Sequence, residues 1–209
     1  MVGQGVLREC LLDPDVDRVL SIVRALTGQS HPKLRELVHK DFFDFSAIEG
    51  DLTGYDACFF CLGVSSAGMK EADYRHVTYG ITMAAARVLA RLNPAMSFIY
   101  VSGLGTDSSE RGRTMWARVK GKTENDLLRL SFKAAYMFRP GGIVPLHGVK
   151  SKTRIYQTFL TIFGSLMPLL YRWFPQYVTT TEQVGRAMLK VAKLGAPKAT
   201  LETADINTL

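Results

Sequence analysis

The sequence predicts an α/β protein built as a doubly wound parallel sheet with helices on both faces. Short apolar runs of strand length recur along the first two thirds of the chain, mostly without polar alternation. Strands buried on both faces read this way. Helical patterns separate the runs, and strand–helix alternation requires parallel crossover connections. After Arg139-Pro140-Gly141-Gly142 the rhythm changes to a mainly helical one.

The first element is a helix, because Val6 and Cys10, and Leu7 and Leu11, recur four apart after Gly3 and Gly5. Strand-length runs follow at 19–23, 34–39, 57–62, 97–102 and 134–138. A helix over 71–92 keeps Tyr74, Val77, Ile81, Ala85, Val88, Leu89 and Leu92 at three-to-four spacing. A second helix covers 114–130. Further on, Thr180-x-x-Gln183 forms a capping box ahead of Val184, Met188 and Val191. Residues 1–145 then make the sheet region, and 146–209 a small, mostly helical region packed on it as one structural unit, within the length of one ordinary domain.

Composition narrows the function classes. At 47% hydrophobic and 22% charged residues, the chain is neither collagen-like, low-complexity, disordered nor a disulfide scaffold. Its 26 Lys and Arg against 19 Asp and Glu give a net charge of +7, and the pI is near 9.4. The basic residues are scattered, with denser groups at Arg111, Arg113, Arg118, Lys120 and Lys122 and at Lys150, Lys152 and Arg154. No nucleic-acid motif accompanies them, so nucleic acid is not an expected partner.

Cys10, Cys58 and Cys61 sit in apolar stretches, which suits a reducing compartment. Cys58 and Cys61 resemble a redox pair, but positions three apart on a strand point to opposite faces, which argues against a disulfide or shared metal. His31, His39, His76 and His147 show no ligand spacing with them, so no metal is expected. No secretory signal is visible, and the expected location is cytoplasmic. The apolar stretch 155–174 is interrupted by Gln157, Gly164, Pro168 and Arg172, against a membrane span; its aromatic residues and flanking bases leave peripheral membrane contact open.

In open parallel sheets, ligands bind beyond the carboxyl ends of the strands. Arg24, Asp41, Gly63, Ser102 and Arg139 occupy those positions. Gly3-Gln4-Gly5 at a helix start is the kind of sequence that lets backbone amides approach a pyrophosphate. About twenty residues beyond such a turn, an acid selects NAD and an arginine accommodates the 2′-phosphate of NADP. Arg24 stands there with no acid beside it; its plain alternative is an exposed strand-end arginine. Asp41 either caps local amides or contacts adenine. Leu62-Gly63 suits close passage of a cofactor, although a turn glycine needs no ligand.

With these residues in place, the chain resembles the short-chain dehydrogenase/reductase superfamily, in its atypical, epimerase-like branch near the Tat-interacting-protein group of NADP-binding proteins. The resemblance is carried by Met-Val-Gly-Gln-Gly at 1–5, Arg24, Cys-Leu-Gly at 61–63, Tyr-Val-Ser-Gly at 100–103, Val-Lys-Gly-Lys-Thr-Glu at 119–124 and Phe-Arg-Pro-Gly at 138–141. It implies a cofactor site at Val2, Gly3, Arg24, Asp41, Cys61, Leu62, Gly63, Lys120, Pro140 and Gly141, with NADP preferred over NAD because of Arg24.

The chain departs from the family pattern in two places. The family begins with a strand leading into a Thr-Gly-x-x-Gly-x-x-Gly turn, and Gly3 looks like the last of those glycines. The resemblance therefore implies a Rossmann-like sheet lacking its usual first, central strand. Its neighbours' unmatched backbone groups would each cost about 1–3 kcal/mol. The expectation is a truncated chain whose Met1 is an internal methionine of a longer protein, or a fragment.

The second departure is chemical. Carbonyl-reducing members use Tyr-x-x-x-Lys with an upstream serine, the tyrosine transferring the proton while the lysine lowers its pKa and holds the nicotinamide ribose. Ser102 and Lys120 match the serine and lysine, but Trp116 occupies the tyrosine position. An indole N–H donates a hydrogen bond but does not cycle a proton as a phenol does. The resemblance implies an NADP-dependent oxidoreductase acting on an unidentified small molecule, with catalytic Ser102 and Lys120. The alternative is a non-catalytic NADP-dependent binding or redox-sensing module. Core packing for Trp116, a strand-end cap for Ser102 and an exposed helix position for Lys120 are the plain structural roles.

Overall fold

A computed structural model describes residues 1–148, 173 and 176–209. The expected membrane-contact stretch 155–174 lies outside the described residues except for Trp173. In chain order the elements are α1 (Val2–Leu12), β1 (Val19–Val23), β2 (Leu34–Val38), a 3-10 segment (Ser46–Leu52) and β3 (Ala57–Phe60). Next come α2 (Glu71–Arg75), a π turn (His76–Gly80), α3 (Ile81–Leu92), β4 (Ser97–Val101), α4 (Met115–Leu127) and β5 (Ala134–Arg139). Then β6 (Gly142–Val144), β7 (Val178–Thr180), α5 (Thr181–Leu194), β8 (Thr200–Glu202) and α6 (Thr203–Thr208) follow. This is the expected Rossmann-like α/β class, with parallel strand pairs and a helical C-terminal region that also carries the short strands β7 and β8.

The chain forms two units, each discontinuous in sequence. The first contains Met1–Lys40, Pro140–Leu194 and Glu202–Leu209. Here β1 and β2 pair in parallel from Val19 opposite Leu34 to Val23 opposite Val38, and β6 pairs in parallel with β7. The buried positions of α1 include Gly5, Val6, Glu9, Cys10 and Leu11, and the helix stops at Asp13, whose extended backbone precedes Pro14. Gly5 is in contact with Thr181 at the start of α5: a Cβ there would stand 2.6 Å from the Thr181 carbonyl oxygen. On the facing helix, a Cβ at Gly185 would stand 2.7 Å from Glu9 Cγ. Small residues thus let α1 and α5 approach closely. One half of the expected capping box is seen in the bond that Thr180 Oγ1 accepts from the Gln183 N–H at 3.0 Å, and Gln183 Nε2 donates to the Ile206 carbonyl at 2.9 Å.

The second unit contains Asp41–Arg139 and Gly195–Leu201. Its sheet has the order β3-β4-β5-β8, with β4 parallel to both β3 and β5. Phe98, Ile99 and Tyr100 are consecutive and all fully buried, which is why β4 reads as a continuous apolar run. On β5, Met137 and Phe138 are likewise fully buried. The expected single helix over 71–92 is interrupted by the π turn at His76–Gly80. Phe43 stacks on His76 with ring centroids 4.6 Å apart, and a Cβ at Gly80 would stand 3.0 Å from the Phe43 ring. Apolar spacing does not register such a one-residue change of helical pitch.

The two units divide at Lys40/Asp41, Arg139/Pro140, Leu194/Gly195 and Leu201/Glu202. Periodicity locates elements; it does not say which of them pack together. Among the described residues, no helix is long and apolar enough to cross a membrane.

Candidate functional site

In the second unit, β4 carries Ser102 to its carboxyl end, where the Ser102 N–H donates to the Phe138 carbonyl at 2.8 Å and prolongs the β4–β5 ladder by one residue. Helix α4 presents Trp116, Lys120 and Glu124 at successive four-residue steps, a spacing that puts them along one face. Lys120 Nζ donates to the Ser102 carbonyl at 2.8 Å. Glu124 accepts the Ser102 hydroxyl. It also meets Arg139, at the end of β5, whose Nε lies 3.0 Å from Oε1 and 3.2 Å from Oε2 and whose Nη2 bonds Oε2.

The same guanidinium donates to Ser108 Oγ, and Thr106 Oγ1 lies 3.2 Å from Ser102 Oγ while donating to the Gly103 carbonyl at 2.7 Å. Glu124 is 1% exposed, and Ser102 and Arg139 are each 9% exposed. A buried charge is tolerated when it is paired and its remaining lone pairs are satisfied, and this network meets both conditions for Glu124.

The loop between β4 and α4 is held against the helix. The Asp107 N–H donates to the Ala117 carbonyl at 3.1 Å, and a Cβ at Gly121 would stand 1.8 Å from the Asp107 carbonyl oxygen. Within the loop, Asp107 accepts from the Ser109 N–H and hydroxyl and from the Gly112 N–H, bonds that hold its carboxyl below the usual carboxylate range. Trp116 is half-buried beside Gly105, where a Cβ would lie 3.6 Å from the indole edge.

Burial lowers Lys120 from the ordinary lysine value to about 8, opposed by the Glu124 carboxylate one turn away. Its ammonium also lies 5.7 Å from the centre of the Tyr100 ring, whose phenol burial pushes above its usual range. An ammonium that keeps two N–H groups beyond its bond to Ser102 is equipped to bind ligand hydroxyls or to move a proton near neutral pH.

Other sequence-derived candidates of this unit have simpler surroundings. Asp41 is exposed and accepts the Phe43 N–H at 2.9 Å, a local turn cap. Beyond β3, Cys61 is half-buried, Leu62 is exposed, and a Cβ on Gly63 would meet open space. All three cysteines are reduced thiols, and burial pushes Cys10 and Cys58 up to about 12. Among the described residues no group of His, Cys, Asp and Glu is arranged to hold a metal ion.

In the first unit, Arg24 follows β1 directly, is exposed and makes no ion pair among the described residues. Val2 and Gly3 form the first turn of α1. Gly5 meets Thr181, so helix packing already accounts for the second glycine of Gly3-Gln4-Gly5. Pro140 is buried, and the Gly141 N–H donates to Thr203 Oγ1 at 2.9 Å. A Cβ on Gly141 would stand 2.3 Å from the Tyr177 carbonyl oxygen, so backbone packing also explains that glycine.

Sequence reasoning gave no role to Glu124, although it belongs to the Val-Lys-Gly-Lys-Thr-Glu segment. Its four-residue step from Lys120 was the available signal. Likewise Arg139, noted as a strand-end residue, is occupied by Glu124 and Ser108.

Comparison with known proteins places these features among relatives. No family model matches the chain. It is 27% identical over 143 residues to the protein FMP52-1, mitochondrial, of Scheffersomyces stipitis, covering 68% of this chain and 62% of that protein. The chain thus spans about three fifths of the length of the curated relatives it matches. Further FMP52 relatives, including that of Candida albicans, are also designated mitochondrial. These designations overturn the cytoplasmic expectation, and the relatives found carry the FMP52 name rather than that of the Tat-interacting group.

Among solved structures, the Bordetella bronchiseptica enzyme WbmF in complex with NAD+ matches with a TM-score of 0.63 at 14% identity, over 99% of this chain and 73% of that one. UDP-N-acetylglucosamine 4-epimerase from Bacillus cereus matches with a TM-score of 0.64 at 11% identity, over 100% and 79%. The chain therefore has the Rossmann-like fold found in this 4-epimerase and this NAD+-bound enzyme, and its sequence is similar to the FMP52 proteins.

Proposed function

We propose that the chain is an NADP-binding protein of the oxidoreductase type, acting on a small molecule, with Arg24 taking the 2′-phosphate and Lys120 the nicotinamide ribose. The observation that carries this reading is the half-buried Lys120 ammonium, tied to the Ser102 carbonyl at 2.8 Å and keeping two N–H donors. Each candidate suits its role within its own unit: Arg24 in the first is an exposed cation without an ion pair among the described residues, and Gly63 in the second leaves open space beyond β3. The NAD+ bound by WbmF, which shares the fold, supports a nicotinamide dinucleotide. When bound in its reduced form, such a cofactor supplies a hydride to a carbonyl carbon. The mitochondrial designation of the FMP52 relatives supports a mitochondrial location for this chain.

Calorimetric titration of NADPH and NADH into the folded chain tests the reading. NADPH binds more tightly than NADH. Arg24→Ala weakens NADPH by about tenfold and leaves NADH unchanged, consistent with the loss of one charge-assisted contact worth about 1.5 kcal/mol. Lys120→Ala weakens both nucleotides. Failure of the folded chain to bind either one overturns the proposal.

Trp116 favours a second reading, a non-catalytic module that reports nucleotide occupancy, because an indole stands at the usual proton-donor position. Under that reading no carbonyl compound accelerates NADPH oxidation by the wild-type chain. Steady turnover with any member of an aldehyde and ketone panel excludes it.

A further inference from the structure

We infer that Glu124 is the positioning residue of this site and that Lys120, rather than Ser102, is its proton-carrying group. The inference rests on the nucleotide-binding reading above and deepens it. A serine hydroxyl has one proton to donate, and that of Ser102 goes to the Glu124 carboxylate. An ionised acceptor holds such a proton more strongly than a neutral carbonyl does. Thr106 does not replace it, since its own hydroxyl proton is directed to the Gly103 carbonyl at 2.7 Å. Ser102 is thereby left as an acceptor toward any ligand.

Glu124 is itself held in one orientation. Both of its oxygens lie within reach of the Arg139 guanidinium, which is anchored in turn by Ser108. A planar fork gripping a planar carboxylate fixes its rotation as well as its position. Glu124 is 1% exposed, so water does not substitute for either partner.

Of the α4 residues along this face, Trp116 and Lys120 remain. The indole donates without releasing its proton. Lys120 spends one N–H on the Ser102 carbonyl and keeps two. The groups acting on it are Glu124 from its own helix and the Tyr100 ring from β4; burial lowers its proton affinity and Glu124 partly restores it, leaving it near 8. A group with this affinity is both charged and able to release its proton at neutral pH.

In the reducing direction one Lys120 Nζ–H bond breaks and one O–H bond forms on the ligand oxygen, which has taken the electron pair of its carbonyl π bond. A reduced nicotinamide dinucleotide, when bound, would supply the hydride that displaces this pair. Lys120 is left as the neutral amine and regains its proton from water.

Lysine-selective 13C labelling of the full chain without nucleotide tests this, with the Lys120 signal assigned by Lys120→Arg. Lys120 titrates near 8 in the wild type, and Glu124→Gln lowers its proton affinity by about tenfold, since a neighbouring carboxylate favours the charged form. Glu124→Asp keeps the charge and holds the affinity within about twofold, separating loss of charge from loss of fold. An unmoved titration in folded Glu124→Gln overturns the proposal. So does a wild-type Lys120 at the ordinary value of 10.5, whether or not Glu124→Gln folds. The titration is read without nucleotide, so its failure leaves NADPH binding intact, and absence of NADPH binding does not alter the titration expected for wild type or Glu124→Gln.

Discussion

Gly121 of α4 and Asp107 of the preceding loop touch through their backbones, so closely that a Cβ on Gly121 would stand 1.8 Å from the Asp107 carbonyl oxygen. The Asp107 N–H bonds the Ala117 carbonyl one turn earlier, which ties the loop to the helix at a second point. Gly121→Ala therefore forces loop and helix apart and lowers stability by about 3 kcal/mol. The helix propensity that alanine gains, about 1 kcal/mol, does not offset this. The change appears as a lower urea midpoint with an unchanged slope.

The paired glycines of α1 and α5 give a ranking. A Cβ on Gly5 meets backbone, the Thr181 carbonyl oxygen at 2.6 Å, whereas one on Gly185 first meets the Glu9 side chain at 2.7 Å. Side chains shift more readily than backbone. Gly5→Ala costs about 3 kcal/mol and Gly185→Ala about 1 kcal/mol, within the usual range for overpacking. Thermal unfolding of the two variants reads the order directly.

Removing one partner of the Glu124–Arg139 pair leaves a buried charge without compensation. Arg139→Met costs about 3–5 kcal/mol, and adding Glu124→Leu restores part of the loss. A double-mutant cycle in urea measures the coupling. A double-variant loss equal to the sum of the two single losses would mean that the ion pair contributes little.

Lys120 gives stability a signed pH dependence. Its proton affinity is lower in the folded chain, about 8, than in the unfolded one, 10.5. Between these values the unfolded state binds more protons, so the Lys120 contribution makes stability rise as pH increases through 8. Below pH 8 the full cost of burying the charged form is present. Cys10 and Cys58 act oppositely above pH 9, because burial raises both thiols from 9.0 to about 12. The lysine effect is therefore cleanest between pH 8 and 9. Lys120→Met abolishes the rise there, as measured by denaturant unfolding at each pH.

The strands were legible because their residues are buried in unbroken runs: Phe98, Ile99 and Tyr100 form the centre of β4. Helix α4 was legible as a periodic stretch, as was α1. The π turn at His76–Gly80 was not, because the apolar positions around it keep nearly helical spacing while Phe43 packs on His76 from another part of the chain. Gly5 was read as a site for anion approach, and the contact with Thr181 shows a packing reason that the neighbouring residues do not contain.

What the sequence determined by itself is local in origin: the parallel α/β class, the strand ends at Ser102 and Arg139, and the four-residue steps that set Trp116, Lys120 and Glu124 along one helix. Tertiary structure alone decided the pairings, giving the Ser102 proton to Glu124, the Arg139 guanidinium to the same carboxylate, and the Lys120 ammonium to the Ser102 carbonyl. The physical reason is that periodicity sets which face of an element is apolar, whereas a buried polar group takes whichever partner the packing of β4, β5 and α4 brings within hydrogen-bond reach.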